Sequence, residues 1–193
     1  MRINWLRIVL VIAIVLANVG CDQVTKQIAR EQLMSAGQIS YLSDFFRLSY
    51  VENKGAFLSL GAGLSGELRY WALLMLPLAL LVGLLAYTLF SENVNRWQAI
   101  AFSFIIGGGI SNIYDRILYG QVVDFMNMGL GSLRTGIFNF ADVSIMIGLG
   151  IMLPMIFRKD RNKSPDDETH HGPSAARTKT PPDNASSNTP NDN

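Results

Sequence analysis

Two aspartates, Asp124 in "GQVVDF" and Asp142 in "NFADVSIMIGLGIMLPMIF", stand where carboxylates are uncommon. The first has Val122, Val123, Phe125 and Met126 for neighbours, and the second opens a run, Val143 to Phe157, that carries no charge. An ionised carboxylate in apolar surroundings costs on the order of several kcal/mol even after relaxation. Two of them brought close should share one proton, because the second ionisation must overcome both desolvation and like-charge repulsion. Such a pair is chemically useful. Its ionised member can take a proton from a water held between the two, while its protonated member hydrogen-bonds a substrate carbonyl and later helps deliver a proton to a leaving amine. Peptide hydrolysis by that route needs no metal, nucleophile or cofactor, and no cofactor is expected. Asp142 taken alone fits equally well as a helix cap, its oxygens accepting free N–H groups. Two acids converging on one pocket are harder to explain as caps, and ionisable residues within membrane segments mark function.

Other chemistries are narrowed by what is missing. The two histidines, His170 and His171, lie in the polar C-terminal stretch, so no histidine zinc site, Ser/His or Cys/His pair, or histidine proton relay can be built among the apolar segments. Cys21 is the only cysteine and forms no internal disulfide.

The elements that must position the acids belong to a membrane protein. The chain has 193 residues, 49% of them hydrophobic and 16% charged, with a mean hydropathy of +0.24. A bilayer core takes roughly 20 apolar residues in helical form, and Trp71 to Phe90, Trp97 to Tyr114 and Val143 to Phe157 meet or approach that length without a charge. A fourth run, Ile8 to Gly20, follows Arg2 and Arg7. It imitates a secretory or lipoprotein signal ending at Cys21, but Asn18 and Val19 are unusual there and "DQVTKQIAREQL" continues helically, so an uncleaved first helix is expected. The expectation is a mostly α membrane protein of four transmembrane helices, at about 5–29, 70–90, 97–116 and 139–157, with a small β-rich cradle at about 33–69 on the periplasmic surface. Within that cradle "SDFFRLSYVEN" partly alternates apolar and polar residues as a strand does. Residues 1–157 are read as one protease domain. Residues 158–193, rich in Pro, Ser, Asn and Asp, are read as a disordered cytoplasmic tail.

Basic residues set the orientation. Arg2 and Arg7 flank the first helix and Arg158, Lys159, Arg161 and Lys163 crowd the end of the last, which puts both termini in the cytoplasm. Sixteen residues from Asp142 to Arg158 rise about 24 Å as helix, so against a core of roughly 30 Å Asp142 lies a few ångströms below the outer boundary.

Several separated motifs resemble those of the lipoprotein signal peptidase family, signal peptidase II, over residues 1 to about 157. "DQVTK" is similar to its Asp-x-x-Thr-Lys element, with Asp22, Thr25 and Lys26, and "ENKGAF" to its Asn-x-Gly-Ala-Phe element, with Asn53, Gly55, Ala56 and Phe57. "GGISNIYDR" fits Gly-Gly-x-x-Asn-x-x-Asp-Arg, with Gly108, Gly109, Asn112, Asp115 and Arg116, while "VVDF" and "FNFAD" carry the family's catalytic aspartates onto Asp124 and Asp142, with Asn139 beside them. The resemblance implies a bacterial inner-membrane aspartyl protease that cleaves diacylglyceryl-modified prolipoproteins on the N-terminal side of the lipidated cysteine, near the periplasmic face. Its partners are then those substrates and membrane phospholipid, with no nucleic acid, and the chain is expected to act as a monomer.

Each match has a physical reading of its own. Asp22 and Lys26, four apart, would pair on a helix as a support, and Gly108 and Gly109 permit close helix packing. Asn112, Asp115 and Arg116 share about one turn and could either brace the carboxylates or hydrogen-bond substrate backbone. Asn53 could partner an extended substrate or simply serve a turn. Rival functions are a small proton-coupled transporter using the Asp pair, a serine or presenilin-type intramembrane protease, and a non-catalytic scaffold. A transporter would space its acids through the membrane thickness, whereas here both cluster at one face.

Overall fold

The structure is a computed structural model, and it describes residues 4–55 and 65–161. Four long helices, α1 (Trp5–Ala36), α2 (Gly66–Phe90), α3 (Arg96–Tyr119) and α4 (Phe140–Arg161), carry four short strands, β1 (Ile39–Tyr41), β2 (Phe46–Asn53), β3 (Val122–Leu130) and β4 (Leu133–Arg134). The strands form one antiparallel sheet in the order β1-β2-β3-β4.

α3 is the central helix, packing against α1, α2 and α4. Three consecutive glycines let it approach all of them. A Cβ on Gly107 would lie 2.8 Å from Asn18 of α1, one on Gly108 2.3 Å from the carbonyl oxygen of Ala141 in α4, and one on Gly109 2.6 Å from Leu81 of α2. The short segment between α2 and α3 ends in a capping box, in which Asn95 Oδ1 accepts from the Gln98 amide and Gln98 Oε1 from the Asn95 amide. In α2, Pro77 lacks an amide hydrogen and its ring crowds the preceding turn. The turn before it, Trp71–Met75, widens to π geometry.

The outer helix surfaces expose large apolar side chains, among them Leu6, Val9 and Leu16 on α1, Leu76 and Leu80 on α2, and Met146 and Leu153 on α4. So much exposed apolar surface is abnormal in water and ordinary in lipid. Among the described residues, α1 and α2 are long and apolar enough to cross a membrane, and the apolar part of α4, Phe140–Met155, is shorter.

Two features depart from the sequence reading. α1 runs seven residues beyond the expected position 29, because Ala29 and Leu33 bury against Val123 and Phe125 of β3. It stops at Gly37, whose φ of +71° ends the helix and whose amide donates to the Leu33 carbonyl. The sheet is also not contained in the first connection. Both connections on that side contribute two strands each, so the second one, outside the expected cradle at about 33–69, supplies half of it. The tail beyond Arg161 and the motif residues Ala56 and Phe57 lie outside the described residues.

Candidate active site

Asp124 sits on β3, where side chains alternate between two faces. Val123 and Phe125 point to α1, which turns Asp124 to the opposite face. There β2 supplies a neighbour. Val51 pairs with Asp124 and Asn53 with Val122, so Asn53 and Asp124 are diagonal on one face. Asn53 Nδ2 donates to Asp124 Oδ2 at 2.8 Å, and Asn53 Oδ1 accepts from the Gly55 amide at 2.9 Å.

Asp142 comes from the first turn of α4. Asn139 and Asp142 cap that helix reciprocally, the Asp142 amide donating to Asn139 Oδ1 at 3.0 Å and the Asn139 amide to Asp142 Oδ2 at 3.1 Å. The cap and the site are therefore the same residue. Asp142 Oδ1 is left for a partner across the helix interface, and Asn112 Nδ2 of α3 donates to it at 3.0 Å. Asn139 then joins the two acids, since its Nδ2 donates to Asp124 Oδ1 at 2.7 Å and to Asn112 Oδ1 at 3.1 Å. Each carboxylate thus receives two N–H donors from a set of three asparagines.

Lys26 decides how Asn112 faces. It is fully buried, and its Nζ lies 2.6 Å from Asp22, 2.6 Å from Asp115 and 2.9 Å from Asn112 Oδ1. An ammonium can only donate, so the asparagine oxygen must point to it and the amide nitrogen to Asp142. Asp22, in turn, accepts from the Ser111 hydroxyl at 2.7 Å and from the Ala141 amide at 2.8 Å, which fixes the start of α4 one residue before Asp142. Gln23 Nε2 donates to Asp115 Oδ1 at 3.0 Å and to Ser111 Oγ at 2.9 Å. A buried cation between two buried anions, with hydrogen bonds at every remaining position, is the arrangement that such burial demands.

Asn53, Asn112, Arg116, Val122, Asp124, Ile137, Asn139 and Asp142 enclose a cleft of about 20 Å3, which is room for roughly one water molecule. Asp124 is 3% exposed. Burial pushes its carboxyl up to about 6, and the charge of Asp142 adds to the rise, while the donors Asn53 and Asn139 and the charge of Lys26 oppose it. A group poised there holds a proton into the range where hydrolysis must run and can still release it. Among the described residues no group of three or more His, Cys, Asp or Glu side chains is placed to hold a metal ion.

The family description "Signal peptidase (SPase) II" matches residues 13–158. The chain belongs to the signal peptidase II family. Within that family, a lipoprotein signal peptidase of Microcystis aeruginosa is 36% identical over 155 residues, covering 80% of this chain and 92% of its relative. One from Gloeobacter violaceus is 34% identical over 149 residues, covering 77% and 78%. Two solved structures of a bacterial membrane enzyme share the fold, one with a TM-score of 0.69 at 26% identity over 80% of this chain and 92% of that one, the other with 0.64 at 27% over 77% and 92%. Signal peptidase II enzymes are proteases, and the chain is accordingly a hydrolase of membrane type.

Of the residues singled out in the sequence, the fold gathers Asn53, Asn112, Arg116, Asn139, Asp124 and Asp142 around one cleft. Asp115 is not among them: one turn of α3 separates Asn112, which meets Asp142, from Asp115, which turns to Lys26. Arg116 takes a third direction. Its Nη2 donates to the carbonyl of Gly55 at 3.2 Å, tying the loop after β2 to α3. Thr25 bonds within its own helix, to the carbonyls of Cys21 and Asp22. Gln23 and Ser111 also brace the buried Asp22–Lys26–Asp115 group, and in the sequence only their proximity to Asp22 and Asn112 marks them.

Proposed function

We propose that the protein is an aspartyl endopeptidase that removes the signal peptide from diacylglyceryl-modified prolipoproteins, cutting on the N-terminal side of the lipidated cysteine, with Asp124 and Asp142 as its catalytic residues. The observation that carries this reading is the bridging Asn139, which binds both carboxylates over a cleft sized for one water. The ionised carboxylate removes a proton from that water, and the water oxygen attacks the scissile carbonyl carbon. The protonated carboxyl hydrogen-bonds the carbonyl oxygen and stabilises the tetrahedral diol. Collapse breaks the C–N bond, the amine of the new N-terminal cysteine takes a proton, and a carboxylic acid is released on the signal peptide. The pair titrates as a unit, and the asparagine donors hold both oxygens of each acid in place without competing for the proton.

In this reading residues 1–157 form one domain with four membrane-crossing helices, in the inner membrane of a bacterium, and residues 158–193, beginning with the last turn of α4, lie on the cytoplasmic side. The basic flanks place both termini in the cytoplasm, so the sheet and the cleft face the periplasm. A substrate cysteine anchored by its lipid in the outer leaflet then presents the scissile bond at the depth of Asp142. The partners are prolipoproteins and membrane phospholipid, and no nucleic acid. The protein acts as a monomer in this reading, with Asn53, Asn112, Arg116, Asp124, Asn139 and Asp142 of one chain around the cleft.

Asp124→Asn and Asp142→Asn, each nearly isosteric, test the assignment. Each should abolish cleavage of a lipid-modified precursor peptide while inserting into the membrane as the parent does. Turnover by either variant at a rate near the parent's contradicts it.

A further inference from the structure

A second cavity, of about 480 Å3, opens at the end of the helix bundle remote from the aspartates, between the start of α1 and the start of α3. Its lining is divided. Leu6, Leu10, Val94 and Ala99 give it an apolar floor, and Arg7 and Arg96 stand at its polar side. Arg7 Nη1 is spoken for, donating to the carbonyls of Ser91 at 2.6 Å and Thr88 at 3.3 Å at the end of α2. The rest of that guanidinium, and all of Arg96, has no carboxylate partner among the described residues. The N-terminal ends of α1 and α3 open on the same side and add positive potential there. Two cations in a partly apolar cavity with no protein anion call for an anion that carries its own apolar portion.

Depth identifies the kind of molecule. Arg7 precedes Asp22 by fifteen residues on α1 and Arg96 precedes Asn112 by sixteen on α3, so the cavity lies about 22–24 Å from the cleft along the helix axes. In the proposed membrane placement this distance carries it across most of the hydrocarbon to the opposite interface. Trp5 and Trp97, 70% and 65% exposed, flank it as interfacial tryptophans do. We infer that this cavity binds an anionic phospholipid of the cytoplasmic leaflet, its phosphate held by Arg7 and Arg96 and one acyl chain lying along Leu6 and Leu10. A zwitterionic phospholipid fits less well, because its ammonium would bring a third cation beside two unpaired ones.

The inference rests on the membrane placement proposed above, though not on the identity of the catalytic residues. Native mass spectrometry of the full-length protein, extracted from bilayers of phosphatidylcholine mixed with phosphatidylglycerol, reads it directly. The parent should retain phosphatidylglycerol in preference to phosphatidylcholine. Arg96→Gln, at an exposed position that makes no side-chain hydrogen bond, should weaken that retention roughly tenfold, the loss of one charge-assisted contact. Arg7→Gln/Arg96→Gln should abolish the preference. Equal retention of the two lipids by the parent, or undiminished retention by Arg96→Gln, overturns the inference. So does stabilisation of the detergent-solubilised parent by inorganic phosphate with the same dependence on Arg96, which would make the site one for a soluble anion. Prolipoprotein cleavage measured on Arg96→Gln should stay at the parent's level, which separates failure here from failure of the active-site reading.

Discussion

Asn53→Leu removes the hydrogen bond to Asp124, together with the one Asn53 accepts from the Gly55 amide, while keeping nearly the same volume, so the sign of its effect on acid–base behaviour can be worked out in advance. Asn53 Nδ2 donates to Asp124 Oδ2 at 2.8 Å, and both residues are buried. The donor favours the ionised carboxylate and holds the Asp124 carboxyl below where burial and Asp142 would otherwise push it. A hydrogen bond to a charged group contributes about 1.5–3 kcal/mol, and one pKa unit corresponds to about 1.4 kcal/mol. Removing it should therefore raise the carboxyl by roughly one to two units from about 6. Leucine, unlike alanine, leaves little space for a replacing water. The sign is definite: a donor to the charged form is lost, the proton is held more tightly, and the pair keeps its shared proton to higher pH. In a profile of kcat/KM against pH for cleavage of a diacylglyceryl-modified precursor peptide, the falling alkaline limb should move upward by that amount. An unmoved limb, or one displaced toward acid, would refute the claim that Asn53 tunes the pair through Asp124.

Two further outcomes follow from the same geometry. Asp124 binds its proton more tightly folded, at about 6, than at the ordinary 3.8, so the folded state holds more protons between those values. Its stability contribution is full below the unfolded pKa and is lost as pH rises through about 6; relative to Asp124→Asn, the parent should lose roughly 2.5 kcal/mol between pH 4 and 7 in unfolding measurements. At the central helix, Gly108→Ala and Gly109→Ala should separate sharply. The first drives a methyl to 2.3 Å from the Ala141 carbonyl oxygen, a backbone atom that must carry Asp142 with it, whereas the second meets the end of the Leu81 side chain. Gly108→Ala should reduce kcat roughly a hundredfold through displacement of the acid, and Gly109→Ala should leave activity within a few-fold of the parent.

The site was legible in outline because its chemistry forces unusual residue choices. Carboxylates beside apolar runs at Asp124 and Asp142 stand out whatever the fold, and the helix-forming runs behind them announce their own length. The wiring was not legible. Asn112, Asp115 and Arg116 occupy one helical turn, and their three directions depend on which helix lies opposite each, information that no local spacing carries. Likewise "VVDFMNMGL" does not alternate cleanly as a strand, because α1 covers one face and the cleft the other, leaving both faces buried at Val122 to Phe125. The extra turns of α1 hide for a related reason. "REQLMSA" is mostly polar and exposed, and only the tertiary contact of Leu33 with the sheet keeps it helical.

The claim on which the mechanism depends is that Asp124 and Asp142 hold one proton between them. An infrared titration of the parent in nanodiscs, with the Asp124→Asn/Asp142→Asn double variant subtracted, follows the carbonyl stretch of protonated carboxyl groups in the pair alone. The band should correspond to one proton at pH 5 and bleach only as pH passes about 6. A pair already fully ionised at pH 5, as two ordinary carboxylates with pKa values near 4 would be, would contradict it.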